Sequence, residues 1–161
     1  MQLFYLPNLD KNSKKAAFSK EESRHLFKVL RKKIDDTILI TNGKNIFFNG
    51  KISSISKNNC EVDILNFEIK DKLNYSLHIV ISPLKSNERF EWFLEKASEI
   101  GISEITPIIC KRSERKFINK KRLNKVLISA MKQSLKAHHP ILNPITTLKD
   151  FYKKKFNDEL F

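Results

Sequence analysis

Residues 81–113, ISPLKSNERFEWFLEKASEIGISEITPIICKRS, constrain the fold more tightly than any other stretch. Phe90, Phe93, Leu94, Ala97 and Ile100 recur at helical spacing and give one apolar face. Gly101 follows the last periodic residue, where a left-handed position costs least without a Cβ. Residues 104–110 then form a short apolar run of strand length, rich in β-branched side chains. The pattern predicts a strand, a helix over 87–100 and a second strand. Such a β-α-β unit demands a parallel sheet and gathers its polar residues at the strand ends, where open α/β sheets place their sites.

The half before it reads differently. Residues 2–5 form a short strand stopped by Pro7. Ser19 and Glu22 make a capping-box pattern for a helix running to about Lys33, with Leu26, Val29 and Leu30 on its buried face. Strands follow at 37–41, 45–49, 51–56 and 60–65. Asn42-Gly43 is a two-residue hairpin signal, since both residues tolerate positive φ. Closely spaced strands around one helix predict a small barrel. A polar stretch, 68–75, places a boundary near Asn74, giving domains 1–74 and 75–161.

Beyond the boundary the spacing predicts a strand over 77–82 and a long helix over 120–136. The apolar positions of that helix are Leu123, Val126, Leu127, Ala130, Met131, Ser134 and Leu135, and His138-His139-Pro140 ends it. A short helix follows over 147–154, and a third strand begins only at Leu160-Phe161. Two strands and two helices cannot by themselves bury a parallel sheet. This half is therefore expected either to dock on another chain or to be the first part of a larger α/β domain.

The chain holds 31 basic and 18 acidic residues in 161, a net charge of +13. That favours a polyanionic partner, nucleic acid first and an acidic membrane surface second. AT-biased codon usage, with its Lys, Asn and Ile, is the bland alternative. The first ten residues lack the basic and apolar regions of a signal peptide, and no stretch has transmembrane length. Cys60 and Cys110 read as reduced thiols. His25, His78, His138 and His139 have no metal-ligand spacing, and no phosphate-cradling glycine loop is present.

The cations form two groups. Arg24, Lys28, Arg31 and Lys32 share a helix face. Lys111, Arg112, Arg115, Lys116, Lys120, Lys121, Arg122 and Lys125 follow the second strand of the β-α-β unit, opposed only by Glu114. Either is a phosphate-binding surface or a solvated one.

These residues also carry a family resemblance. His25–Arg31 (HLFKVLR), Lys85, Lys96-Ala97-Ser98-Glu99-Ile100-Gly101-Ile102, Ile105-Thr106-Pro107, Arg112-Ser113, Ala130-x-x-Gln133-Ser134 and Pro140 occur in order. Together they resemble the signatures of the 16S rRNA uracil-N3 methyltransferases, the RsmE family. The resemblance implies an α+β to α/β chain: a small N-terminal PUA-like β-barrel, then the first part of a SPOUT-type α/β domain with its knot missing. It implies methyl transfer from S-adenosylmethionine to N3 of a uridine in 16S rRNA of the small ribosomal subunit, a cytoplasmic location, and a homodimer when full length.

The family's GPEGG loop and LG-x-RILR-x-ETA segment are absent, so the cofactor site is expected in a further C-terminal segment and not in these residues. Under that resemblance Arg112, Ser113 and Glu99 are the catalytic candidates. Arg112 would hold an RNA phosphate or the uracil carbonyl, and Glu99 would orient a lysine or a group of a partner chain. Arg24, His25, Lys28, Arg31, Lys32, Lys85, Arg89, Lys111 and Arg115 are the RNA-binding candidates. No metal is expected. The alternative is a non-catalytic RNA-binding module.

Overall fold

The structure, a computed structural model, describes residues 2–71 and 74–153. It divides into two compact units, Met1–Leu73 with Met131–His139, and Asn74–Ala130 with Pro140–Phe161.

In the first unit β1 (Leu3–Tyr5), β2 (Lys15–Ala17), β3 (Thr37–Thr41), β4 (Ile46–Ile55) and β5 (Cys60–Ile69) form one sheet in the order β1-β3-β4-β5-β2. Only the β1–β3 pair is parallel. This is a half-barrel. Alternate residues of β4, namely Ile46, Phe48 and Ile52, point into a core shared with Phe4, Phe18, Leu26, Ile40, Cys60 and Val62. Period-two alternation on a sheet with one wet face produces that pattern.

The predicted break near residue 50 is absent: β4 is one ten-residue strand. Gly50 lies inside it at a register shift, and a Cβ there would sit 2.3 Å from Val62 Cγ1. The glycine permits close approach of two strands and does not make a turn. The strand β2 was not anticipated, because three residues carry little pattern and its ladder comes from β5.

The first helix departs most from expectation. α1 (Lys20–Arg24) passes into a π-turn over His25–Val29, where the Leu30 N–H donates to the His25 carbonyl at 3.0 Å. Arg31 then adopts φ of 51°, so the helix stops short of Lys33. The i→i+5 turn holds one residue more than an α turn. Leu26 stays buried and Leu30 packs against the core, but Val29 is turned out and is 66% exposed. Ser19 caps α1 by accepting the Glu22 N–H at 3.3 Å. The Glu22 carboxylate pairs with Lys132 at 2.9 Å and does not complete the capping box.

Residues 131–139 close this unit. The β3–β4 hairpin turns through residues 42–45, with Gly43 at φ 75° and Asn45 at φ 62°, a longer loop than the two-residue turn predicted. Asn45 N–H donates to the Ala137 carbonyl at 3.0 Å, and His139 N–H to the Gly43 carbonyl at 2.9 Å. The His139 ring stacks on Tyr5 at 5.6 Å, and its Nε2 is buried without a hydrogen-bond partner.

In the second unit β6 (His78–Ile81), α2 (Asn87–Ile100) and β7 (Glu104–Ile109) form the predicted β-α-β unit, with β6 and β7 parallel. Gly101 caps α2 at φ 99°. Phe90, Leu94 and Ala97 are buried, whereas Ile100, in the last turn, is 65% exposed. α3 (Lys120–Gln133) ends before Lys136. Leu135, expected on its apolar face, takes φ of 53° in the turn beyond and is exposed.

Two short strands follow, β8 (Ile141–Leu142) and β9 (Thr146–Thr147), both parallel to β7. They take the third sheet position that the sequence reading deferred to residues 160–161, which lie outside the described residues. The short α4 (Leu148–Tyr152) is capped by Thr147. Leu123 and Leu127 of α3 pack with Phe90, Leu94, Ile105 and Leu142.

Two consequences are measurable. Gly50→Ala should lower stability by about 1–3 kcal/mol in urea melts, because the added carbon meets a packed neighbour. Gly50→Ala should cost less when made on a Val62→Ala background, and strictly additive effects would refute the contact. Burial first, and His138 second, hold the His139 imidazole below its ordinary range. The unfolded chain therefore binds a proton that the folded chain refuses, so stability should fall as pH drops below about 6.5 and level off at lower pH. His139→Phe keeps an aromatic face for Tyr5 and should flatten that slope; an unchanged slope would exclude His139 as its source.

Candidate functional site

Parallel strands point their C-terminal ends the same way, so the loops after β6 and β7 meet at one edge of the second sheet. The first loop is Ser82-Pro83-Leu84-Lys85-Ser86, and Ser86 caps α2 by accepting the Arg89 N–H at 3.4 Å. The second begins Cys110-Lys111-Arg112-Ser113.

Ser113 Oγ lies 2.7 Å from Ser82 Oγ and accepts the Cys110 N–H at 2.7 Å. Its own N–H donates to the Cys110 carbonyl at 3.1 Å. The Arg115 guanidinium donates to Asn87 Oδ1 and to the Lys85 carbonyl, and Lys85 Nζ sits 3.4 Å from Glu114. The two loops are thus stitched by hydroxyls on one side and by a guanidinium on the other. Ser82 and Asn87 were absent from the candidate set. A hydroxyl or amide at a strand end carries no distinctive sequence signal until its partner is placed.

Stitching leaves some cations unspent. Arg112 is exposed at the tip of the turn and enters no ion pair among the described residues, and the same holds for Lys111 and Lys116. The Arg89 side chain enters none either. Arg122 is committed elsewhere, 2.7 Å from Glu91, tying α3 to α2. Ser113 Oγ is engaged by both Ser82 and the Cys110 N–H, and its hydrogen bonds among the described residues include no titratable base, so its hydroxyl shapes the turn.

Glu99 does not join Arg112 and Ser113. α2 returns from the C-terminal edge of the sheet to its N-terminal edge, which puts Glu99 at the opposite end of β7. That strand has six residues, so the separation is on the order of 20 Å. There Glu99 holds Lys96, whose Nζ is 2.9 Å from both carboxylate oxygens, and this hydrogen bonding leads the rise of the ammonium above its ordinary pKa. The expected lysine partner is present, far from the basic edge. A further polar group joins β6 to β7. His78 Nε2 lies 2.7 Å from Thr106 Oγ1, which also accepts from Asn143 at 2.7 Å.

In the first unit Arg24, Lys28 and Arg31 are exposed and unpaired among the described residues, while Lys32 stands 4.0 Å from Asp36. His25 is half-buried, with Nε2 3.5 Å from the Gln2 side-chain amide. No group of three or more His, Cys, Asp or Glu among the described residues is arranged to hold a metal ion.

A family model described as an RNA methyltransferase domain matches residues 71–161, and one described as an RNA methyltransferase PUA domain matches residues 18–65. The ribosomal RNA small subunit methyltransferase E of Rickettsia conorii is 28% identical over 160 residues, covering 99% of this chain and 65% of the relative. A solved structure described as a probable rRNA-methyltransferase from Porphyromonas gingivalis superposes with a TM-score of 0.85 at 35% identity, over 94% of this chain and 63% of that one. A ribosomal RNA small subunit methyltransferase E from Neisseria gonorrhoeae, solved bound to S-adenosyl methionine, superposes with a TM-score of 0.83 at 26% identity, over 98% and 66%. The chain spans just under two thirds of the length of each of these relatives. With a PUA domain first and a methyltransferase domain second, it belongs to the RNA methyltransferase family, among whose members are the ribosomal RNA small subunit methyltransferases E.

Proposed function

We propose that this chain supplies the RNA-binding module and one wall of the active site of a SPOUT-type, S-adenosylmethionine-dependent methyltransferase acting on N3 of a uridine in 16S rRNA. The observation that carries the reading is the basic edge of the second sheet, stitched into a fixed shape with Arg112 left free at its tip. Methylation at N3 needs loss of the N3 proton, which leaves negative charge on the ring. A guanidinium that enters no ion pair among the described residues, carried on a stitched loop, can stabilise that charge or hold an adjacent phosphate. Lys85 and Glu114 shape the rim of this edge, Arg115 locks it, and Lys111 and Arg89 add positive potential. Glu99 has its place in the Lys96 ion pair, not in the chemistry at this edge.

The same edge does not fit the methyl donor. Its exposed cations oppose a sulfonium, and none of the three glycines of the chain, Gly43, Gly50 and Gly101, lies in the loops after β6 or β7, where a backbone could approach a nucleoside closely. We therefore read the donor site as lying outside these residues, and the whole enzyme as a homodimer. A non-catalytic RNA-binding role is the second reading, favoured for these residues by the engagement of the Ser113 hydroxyl with Ser82 and the Cys110 N–H.

Calorimetry of the 161-residue chain with S-adenosylmethionine should give no binding; micromolar affinity would overturn the assignment of the donor site to other residues. Binding to small-subunit rRNA fragments should weaken steeply with salt. Replacing Arg24, Lys28 and Arg31 together by alanine should reduce the slope of log K against log salt by about 2 to 3, with an unchanged melting temperature. An unaltered slope would remove these three from the interface.

A further inference from the structure

The π-turn in the first unit exposes Val29, which regular helical spacing would have placed inside with Leu26 and Leu30. Phe27, Lys28 and Val29 are consecutive and all exposed, with Phe27 at 43% and Val29 at 66%. Leu26 is buried behind them, and Leu30 is packed against the core. The core thus has its helix contacts without the two apolar side chains displayed outside.

Arg24 precedes Phe27 by three residues and Lys28 by four, and Arg31 follows with a left-handed backbone. The acids nearby are mostly occupied: Glu22 by Lys132, Asp35 by Lys51, and Asp36 by the Lys33 N–H and the Lys32 side chain. Glu21 is the exception. What remains is an aromatic ring and a small aliphatic patch bracketed by three unpaired guanidinium and ammonium groups.

We infer that this ridge is a base-stacking platform: Phe27 stacks on an unpaired RNA base while Arg24, Lys28 and Arg31 hold the phosphates on either side. The inference rests on the RNA-directed reading above and adds to it a preference for unpaired over fully paired RNA. Its chemistry is that of single-strand recognition, where an aromatic face accepts any base and cations track the backbone. Charge complementarity excludes a neutral or basic protein partner, and the exposed Phe27 ring, which a base can stack on, favours RNA over an acidic protein. Two apolar side chains on one short turn offer too little insertion surface for a lipid bilayer.

The test compares two RNAs with equal phosphate number, a hairpin carrying an unpaired loop with 2-aminopurine and a blunt duplex. The 161-residue chain should bind the hairpin more tightly and quench 2-aminopurine. Phe27→Ala should weaken hairpin binding about tenfold or more, abolish the quenching, and leave duplex affinity and the salt slope unchanged. Phe27→Trp should retain both binding and quenching. If Phe27→Ala binds the hairpin as the parent does, or loses hairpin and duplex equally, stacking is refuted while the RNA reading stands. If the parent binds neither RNA, both readings fall. Sedimentation with phosphatidylserine vesicles that depends on Phe27 would also overturn the platform, in favour of a membrane contact.

Discussion

The first unit depends on one buried hydroxyl. Thr41 Oγ1 lies 2.9 Å from the Ile46 carbonyl and 3.1 Å from the Ala137 carbonyl, and accepts the Gly43 N–H at 3.0 Å. A buried hydroxyl left without partners costs about 1–3 kcal/mol, so the hairpin turn and the distant segment of residues 137–139 are held together. Asn42 adds to it by donating to the Leu9 carbonyl and accepting the Lys44 N–H. Once that turn is set, Tyr5 meets His139 and Lys132 reaches both Glu22 and the face of Phe4. Residues more than ninety positions apart thereby complete a half-barrel that local sequence alone would leave open.

A net charge of +13 says little until the cations already committed are set aside. Arg115 bridges two loops, Arg122 joins two helices, and Lys132 and Lys51 neutralise carboxylates within the first unit. Their charge is spent on architecture, and their removal would confound folding with binding. Arg24, Lys28, Arg31, Arg112, Lys111 and Lys116 stand exposed without such partners. Exposed pairs contribute little to stability in any case. The unpaired set is therefore the part of the positive charge that a phosphate backbone can recruit without dismantling anything.

The β-α-β unit was legible because its signals agree: helical period, glycine cap and β-branched run specify the same element. The antiparallel strands were legible wherever alternation was regular. Gly50 misled, since a glycine that admits Val62 looks in sequence like one that makes a turn. The strands β8 and β9 are two residues each, below the length at which any period exists, and their partner is β7. Glu99 was grouped with Arg112 by proximity in a motif. The strand β7 runs between them from one edge of the sheet to the other, so nearness in sequence becomes distance in space. The Ser82–Ser113 contact escaped for the converse reason: the two residues whose hydroxyls touch are thirty-one positions apart in the chain.

The π-turn joins these points. Periodicity assigns faces by assuming a constant number of residues per turn, and one widened turn reassigns every side chain within it. Val29 was expected inside with Leu26 and Leu30. It emerges beside Phe27 because the hydrogen bond from Leu30 reaches back to His25. A widened turn is less favourable than a regular one and persists only where the surroundings over-determine it. Here Leu26 and Leu30 anchor it from below, and the left-handed Arg31 ends it. An apolar ridge held out into solvent by an uncommon turn, among cations that lack partners, opposes what burial alone would choose. Such a conflict between local packing and exposure is what a binding surface requires.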